Sequence, residues 1–121
     1  MRTVPRFDIY SRELLVGWSE LELGDAPMGV AFGKFIPTPA YRLIQSHVVA
    51  AQAPASEGLH LSARAPSGVP LACIAVCISD CSAELGASGL EVSVLGISDP
   101  PYAQLLPHHV AAYERQFPSG N

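Results

Sequence analysis

The run VPLACIAVCIS, Val69–Ser79, is the stretch on which the fold turns. It is apolar almost throughout, and its Val and Ile content favours a buried central strand over a helix, although periodicity alone fits either. Read as a strand, it makes the second half of the chain a sheet. The segment before it, LHLSARA, alternates cleanly, with Leu59, Leu61, Ala63 and Ala65 on one face and His60, Ser62 and Arg64 on the other. The tripeptide PSG joins the two as a turn. After the run, SAELGASG reads as a loop or a short turn, and LEVSVLGI as a strand with Leu90, Val92 and Val94 on one face.

The first half carries the same order. RFDIY alternates, SREL reads as a turn, and LLVGWSELEL continues as the second arm of a hairpin. Val16 and Trp18 are expected on one face and Leu21 and Leu23 on the other. A bulge near Ser19 or Glu20 would produce that switch, because one extra residue reverses the faces. GDAPMG is a loop, and VAFGKFI a strand.

Two similar phrases then close the two halves: TPAYRLIQSHVVAA (Thr38–Ala51) and DPPYAQLLPHHVAA (Asp99–Ala112). They share six of fourteen positions, among them Pro39/Pro100, Tyr41/Tyr102 and His47/His108. Thr38 and Asp99 suit helix N-caps, and the prolines that follow suit the first helical position. Tyr41, Ile44, Val48 and Ala51 fall at helical spacing. Pro107 should break the second helix, leaving HHVAAYERQF as a separate terminal segment. The expected fold is α+β: an antiparallel sheet of about six strands with two helices packed on one face. It reads as a degenerate ββ-β-α duplication whose halves run 1–56 and 57–121 within one domain. The competing explanation is that both helices simply need a cap, a proline start and an apolar tyrosine.

Composition bounds the function. The chain has 121 residues, 49% of them hydrophobic and 15% charged, which suits one well-buried globule. No apolar run is long enough for a membrane helix. The opening MRTVPRFDIY lacks the apolar stretch of a secretory leader, so a cytoplasmic location is expected. Cysteines 73, 77 and 81 are odd in number, in keeping with reduced thiols. A net charge of −4 argues against nucleic acid as a partner. Lys34 is the only lysine among seven cationic residues, a bias that points to GC-rich bacterial coding.

No catalytic or metal motif emerges. GVAFGK lacks both the glycine spacing and the terminal hydroxyl of a phosphate loop. The cysteines recur every fourth residue without a close pair, which suits Cys73 and Cys77 as small core hydrophobes, and Cys81 lies in a loop beside Asp80. His108 and His109 are adjacent, so on a helix they diverge, and both are expected near solvent.

The acidic cluster is more suggestive. Glu20, Glu22 and Asp25 follow Trp18 within one hairpin and its exit loop, and an aromatic among carboxylates suits a protein-binding patch that steers a basic partner. The leading reading is a small interaction protein, such as an immunity-type inhibitor that binds a basic protein through Trp18, Glu20, Glu22 and Asp25. The second is a small-molecule module or enzyme with a pocket between the halves, lined by Tyr41, His47, Tyr102 and His108. The third is a homodimer pairing exposed strand edges. No cofactor is expected.

Overall fold

A computed structural model describes residues 5–51 and 58–116. The boundary expected between the halves, at 56/57, lies outside the described residues. Eight strands form: β1 (Phe7–Ser11), β2 (Leu14–Ser19), β3 (Leu23–Asp25), β4 (Val30–Lys34), β5 (Ile36–Pro37), β6 (Leu61–Arg64), β7 (Ala75–Asp80) and β8 (Leu90–Leu95). The helices are α1 (Arg42–Ala51), α2 (Ser82–Leu85), α3 (Tyr102–Leu105) and α4 (Pro107–Gln116).

The class is α+β, but the single six-stranded sheet is replaced by two antiparallel sheets of four strands, ordered β5-β2-β1-β6 and β3-β4-β8-β7. The physical reason is that two segments serve both sheets. β2–β3 and β4–β5 are one long hairpin that turns a corner: Trp18 pairs with Ile36 in one sheet, and Leu23 with Phe32 in the other. Between those pairs, residues 19–22 face residues 33–35, four against three. The chain bends across this extra residue, with Leu21 at a φ of 46°. The change of faces expected at Ser19 or Glu20 is made earlier, at Val16 and Gly17, after which Ser19 and Leu21 are buried and Trp18 and Glu20 are not. The Ser19 hydroxyl, fully buried, accepts the Leu21 N–H at 3.0 Å and steadies the bend.

The run 69–79 bridges the sheets on the opposite side. It is a strand, not a helix, but only its second part is regular. Ala65 N–H bonds Val69 O, and Leu71 N–H bonds Ala63 O, extending β6 into a hairpin. Ala72 N–H then bonds Asp99 O and Ile74 N–H bonds Leu95 O, delivering the chain to β8. Backbone pairing therefore runs in a circuit, from β6 through β1, β2, β4–β5 and β8 back to β7 and residues 69–71. The two halves do not repeat one ββ-β-α unit: five strands precede α1 in the first, whereas the second has three, with α2 between β7 and β8. One core fills the interior, with Phe7, Ile9, Val16, Leu21, Ile78, Val92 and Val94 each at most 2% exposed.

The irregularity at Val16 lies earlier in β2 than expected. Gly17 faces Ile9 while Leu15 faces Tyr10, so Val16 is the unmatched residue and both Val16 and Gly17 point inward. Trp18 is thereby turned to the outer face, not to the face of Val16.

Nor do the helices share one face. The Tyr41 hydroxyl donates to Asp80 Oδ2 at 2.6 Å, at the end of β7 where Asp80 pairs with Leu90. The Tyr102 hydroxyl donates to Val30 O at 2.8 Å, at the start of β4 and the far end of the same sheet. Each half's helix thus caps a different end of the strands. Neither expected N-cap operates. The Thr38 hydroxyl donates instead to Leu15 O at 2.6 Å, tying the helix start to β2. Asp99 is engaged with Ala72, so α3 begins after Pro101. Pro107 separates α3 from α4 as expected. Residues 82–89, expected as a loop or a short turn, form the four-residue α2 and a following 3-10 turn.

Asp80 gathers the end holding α1. Its carboxylate also accepts from Gln45 Nε2 at 3.2 Å and from the Ser82 amide at 2.8 Å and hydroxyl. Partial burial alone would raise its pKa, but the bonds from Ser82, Tyr41 and Gln45 outweigh it and pull the pKa down. A lowered carboxylate pKa contributes stability above the unfolded value that is lost as pH falls through the folded one. Asp80→Ala should cost about 2 kcal/mol at pH 7 and flatten the acid side of the stability profile, measured by urea unfolding between pH 3 and 7. At the corner, a Cβ on Gly17 would overlap the Phe35 ring and the Ile36 carbonyl. Gly17→Ala should therefore destabilise by about 2 kcal/mol in the same assay.

Candidate functional site

A groove of about 790 Å³ opens where β3 meets α4. Its first wall comes from the corner hairpin. After the bend at Leu21 the chain runs as β3, whose three residues are all exposed, and turns through Ala26–Met28 to Gly29, where φ is 66°. That tight turn needs a residue without a Cβ, and it pushes Met28 outward to 67% exposure. Leu23 is 55% exposed, and Phe32, its cross-strand partner, is half-buried behind it.

The second wall is α4, held at both levels of the chain. His109, only 8% exposed, has Nε2 2.7 Å from Leu21 O, and as a ring N–H it donates to that carbonyl. Tyr102, one helix earlier, bonds Val30 O. Both rings lie over Gly24, where any Cβ would overlap the Tyr102 hydroxyl and crowd His109 Cδ2. The absence of a side chain at position 24 is what lets the helices seat against β3. Ala112, Tyr113 and Gln116 continue this wall.

Two carboxylates border the groove. Asp25 ends β3 and is exposed. Glu22 is exposed too, but it folds back over Gly33, and its Oε2 accepts the Lys34 N–H at 3.2 Å. The Tyr102 hydroxyl is pushed up to about 12, first by burial and then by the negative charge of Asp25. His108 beside the site is lowered, by burial and then by its neighbour His109, whose ring lies 4.2 Å away.

The structure divides the acidic patch read from the sequence. Glu22 and Asp25 line the groove. Glu20 is half-buried at the bend and does not line it. Trp18 lies on the outer face of the other sheet, with the Arg6 guanidinium 4.8 Å from its ring centre and Arg6 also bonded to Asp8 at 2.9 Å. The four residues proposed for a central pocket do not come together. Tyr41 and Tyr102 sit at opposite ends of the sheet, and His47 and His108 are exposed on different helices. His109 is instead buried at the groove, against the expectation of a solvent position. The sequence marks Leu23 and Phe32 only as strand residues and Met28 only as part of a loop, so the surface they form together was missed.

Cys73 and Cys77 are half-buried and Cys81 exposed, all as free thiols. Burial raises the Cys73 pKa, and Cys77 adds to it. Among the described residues no group of three His, Cys, Asp or Glu side chains could hold a metal ion, and no helix is long and apolar enough to cross a membrane. Comparison with protein families, with curated proteins and with solved structures finds no match.

A raised tyrosine pKa contributes stability below the unfolded value that is lost as pH rises toward the folded one. For Tyr102 that window runs from 10.0 to about 12. Tyr102→Phe should cost about 1 kcal/mol at pH 8 and reduce the loss of stability above pH 10, read from urea unfolding at pH 8 and 11.

Proposed function

We propose that this chain is a small binding module that holds a basic segment of a protein partner in the groove between β3 and α4. The supporting observation is the pairing of an apolar surface, Leu23 with Met28, with the exposed carboxylates of Glu22 and Asp25 on one open groove. A space of about 790 Å³ falls within the range of sites that take ligands. Its residues suit recognition: exposed apolar side chains supply affinity when covered, and rim carboxylates select cations and speed encounter. They do not suit catalysis, since the buried histidine is already committed to Leu21 O.

A net charge of −4 favours a basic partner over nucleic acid. Occupying a basic surface on another protein is what an immunity-type inhibitor or an escort would do, and a cytoplasmic bacterial setting is consistent with the composition. In this reading Trp18 belongs to the scaffold. The contact surface is Glu22, Asp25 and the apolar residues between and behind them.

The test uses a synthetic decapeptide of alternating lysine and valine, titrated into the isotopically labelled protein. Amide shifts should move in residues 22–28 and 109–116, and affinity should fall as salt is raised. Asp25→Lys, alone and with Glu22→Lys, should weaken binding about tenfold or more at low salt while leaving Tm near that of the parent chain. Shifts that concentrate elsewhere, or an affinity indifferent to both reversals, would overturn the proposal.

A further inference from the structure

We infer that the segment taken by this groove binds as an added β-strand, pairing its backbone with the free edge of β3; this rests on the binding reading above and adds how the partner is held. The strand order leaves β3 at the end of its sheet. Of the other sheet ends, β6 is bridged to residues 69–71 and β7 lies against β6 and α1, while β5 is only Ile36–Pro37, too short and, with its proline, too poor in donors to template a strand. At β3 the ladder stops, and among the described residues its outer backbone groups meet no further strand. Such an edge is a template for a strand from another chain.

The surroundings direct a ligand to that edge. The face of β3 at Gly24 is closed by Tyr102 and His109, which stand where a side chain would project. The edge remains as the accessible side, and α4 runs beside it as a second wall, fixed by the His109 bond to Leu21 O and the Tyr102 bond from α3 to Val30 O. A strand laid there would be held by main-chain hydrogen bonds on one side and by side-chain contacts with α4 on the other.

The occupant follows from charge and period. Side chains along an added strand alternate, so every second residue would meet the Leu23 and Met28 surface. Asp25 ends this strand and selects lysine or arginine, and Glu22, its carboxylate turned toward β4, adds negative charge to the same groove. A second copy of this chain is the poorer occupant, because self-pairing brings the same carboxylates from both copies together. The inferred ligand is therefore an extended segment of a basic protein with apolar residues at alternate positions.

The test separates this mode from groove binding as such. Two further decapeptides carry the same lysine and valine side chains, but with alternate backbone amides N-methylated in one register or the other. Strand addition predicts that one methylated register binds about tenfold more weakly or worse than the parent peptide, and that the other binds like it. It also predicts slowed amide exchange in residues 23–25 when the parent peptide is bound. If both registers bind like the parent peptide, the groove reading stands and strand addition falls. If none of the three peptides binds, both fall. If light scattering shows a dimer of the free protein with residues 23–25 already protected, the occupant is a second copy and the inference is wrong.

Discussion

The structure depends on one aromatic ring at a corner. Phe35 is the residue between β4 and β5, at the point where a single run of chain leaves one sheet and enters the other. It is 1% exposed, its N–H bonds Leu90 O, and its ring meets Tyr41 edge-on at 5.3 Å. The ring also fills the space above Gly17 on β2. A bend placed there joins both sheets and the first helix to one packing site. Apolar burial at such a point contributes more than its area, since three elements lose their mutual register if it is disturbed.

Bending one hairpin across two sheets has consequences at its tip. The bend at residues 19–22, with Leu21 buried and at a positive φ, starts β3 with its residues outward. Because the hairpin ends soon after, β3 is short and lies at the sheet's end. The second pair of helices then packs against the face of β3 and not beyond its edge. The groove therefore follows from how the circuit of strands is closed: among the described residues β6 and β7 find neighbours, and β3 is left with a helix running beside it.

The ends of the molecule are finished by two tyrosine hydroxyls used differently. Tyr41 gives its proton to a carboxylate that is already bonded by Gln45 and Ser82, a saturated polar cluster that fixes α1. Tyr102 gives its proton to a backbone carbonyl, with Asp25 close enough to raise its pKa further. The related phrases around the two tyrosines therefore lead to similar anchoring at opposite ends, with the β3–α4 groove beside the second. Glu22 and Asp25 were legible as an acidic pair. The rest of the groove was not: Gly24 reads as a loop glycine, whereas its importance lies in the two rings it admits, 78 and 85 residues later in the chain. His109 could be found only once α4 was placed against Leu21.

By itself, the sequence determined the local elements: alternation made strands, Pro107 divided the last helix, and the change of faces between Val16 and Leu21 announced a bulge, which falls at Val16 and not at Ser19. These are properties of neighbours, set by backbone sterics and by which side chains repeat every second or fourth position. The tertiary structure alone decided that the strands form two sheets, that the helices cap opposite ends, and that Trp18 and Glu20 part company with Glu22 and Asp25. The reason is physical: a corner one residue longer on one side than the other reverses every face after it. Where those faces then meet is settled by packing between segments far apart in the chain, about which local pattern carries no information.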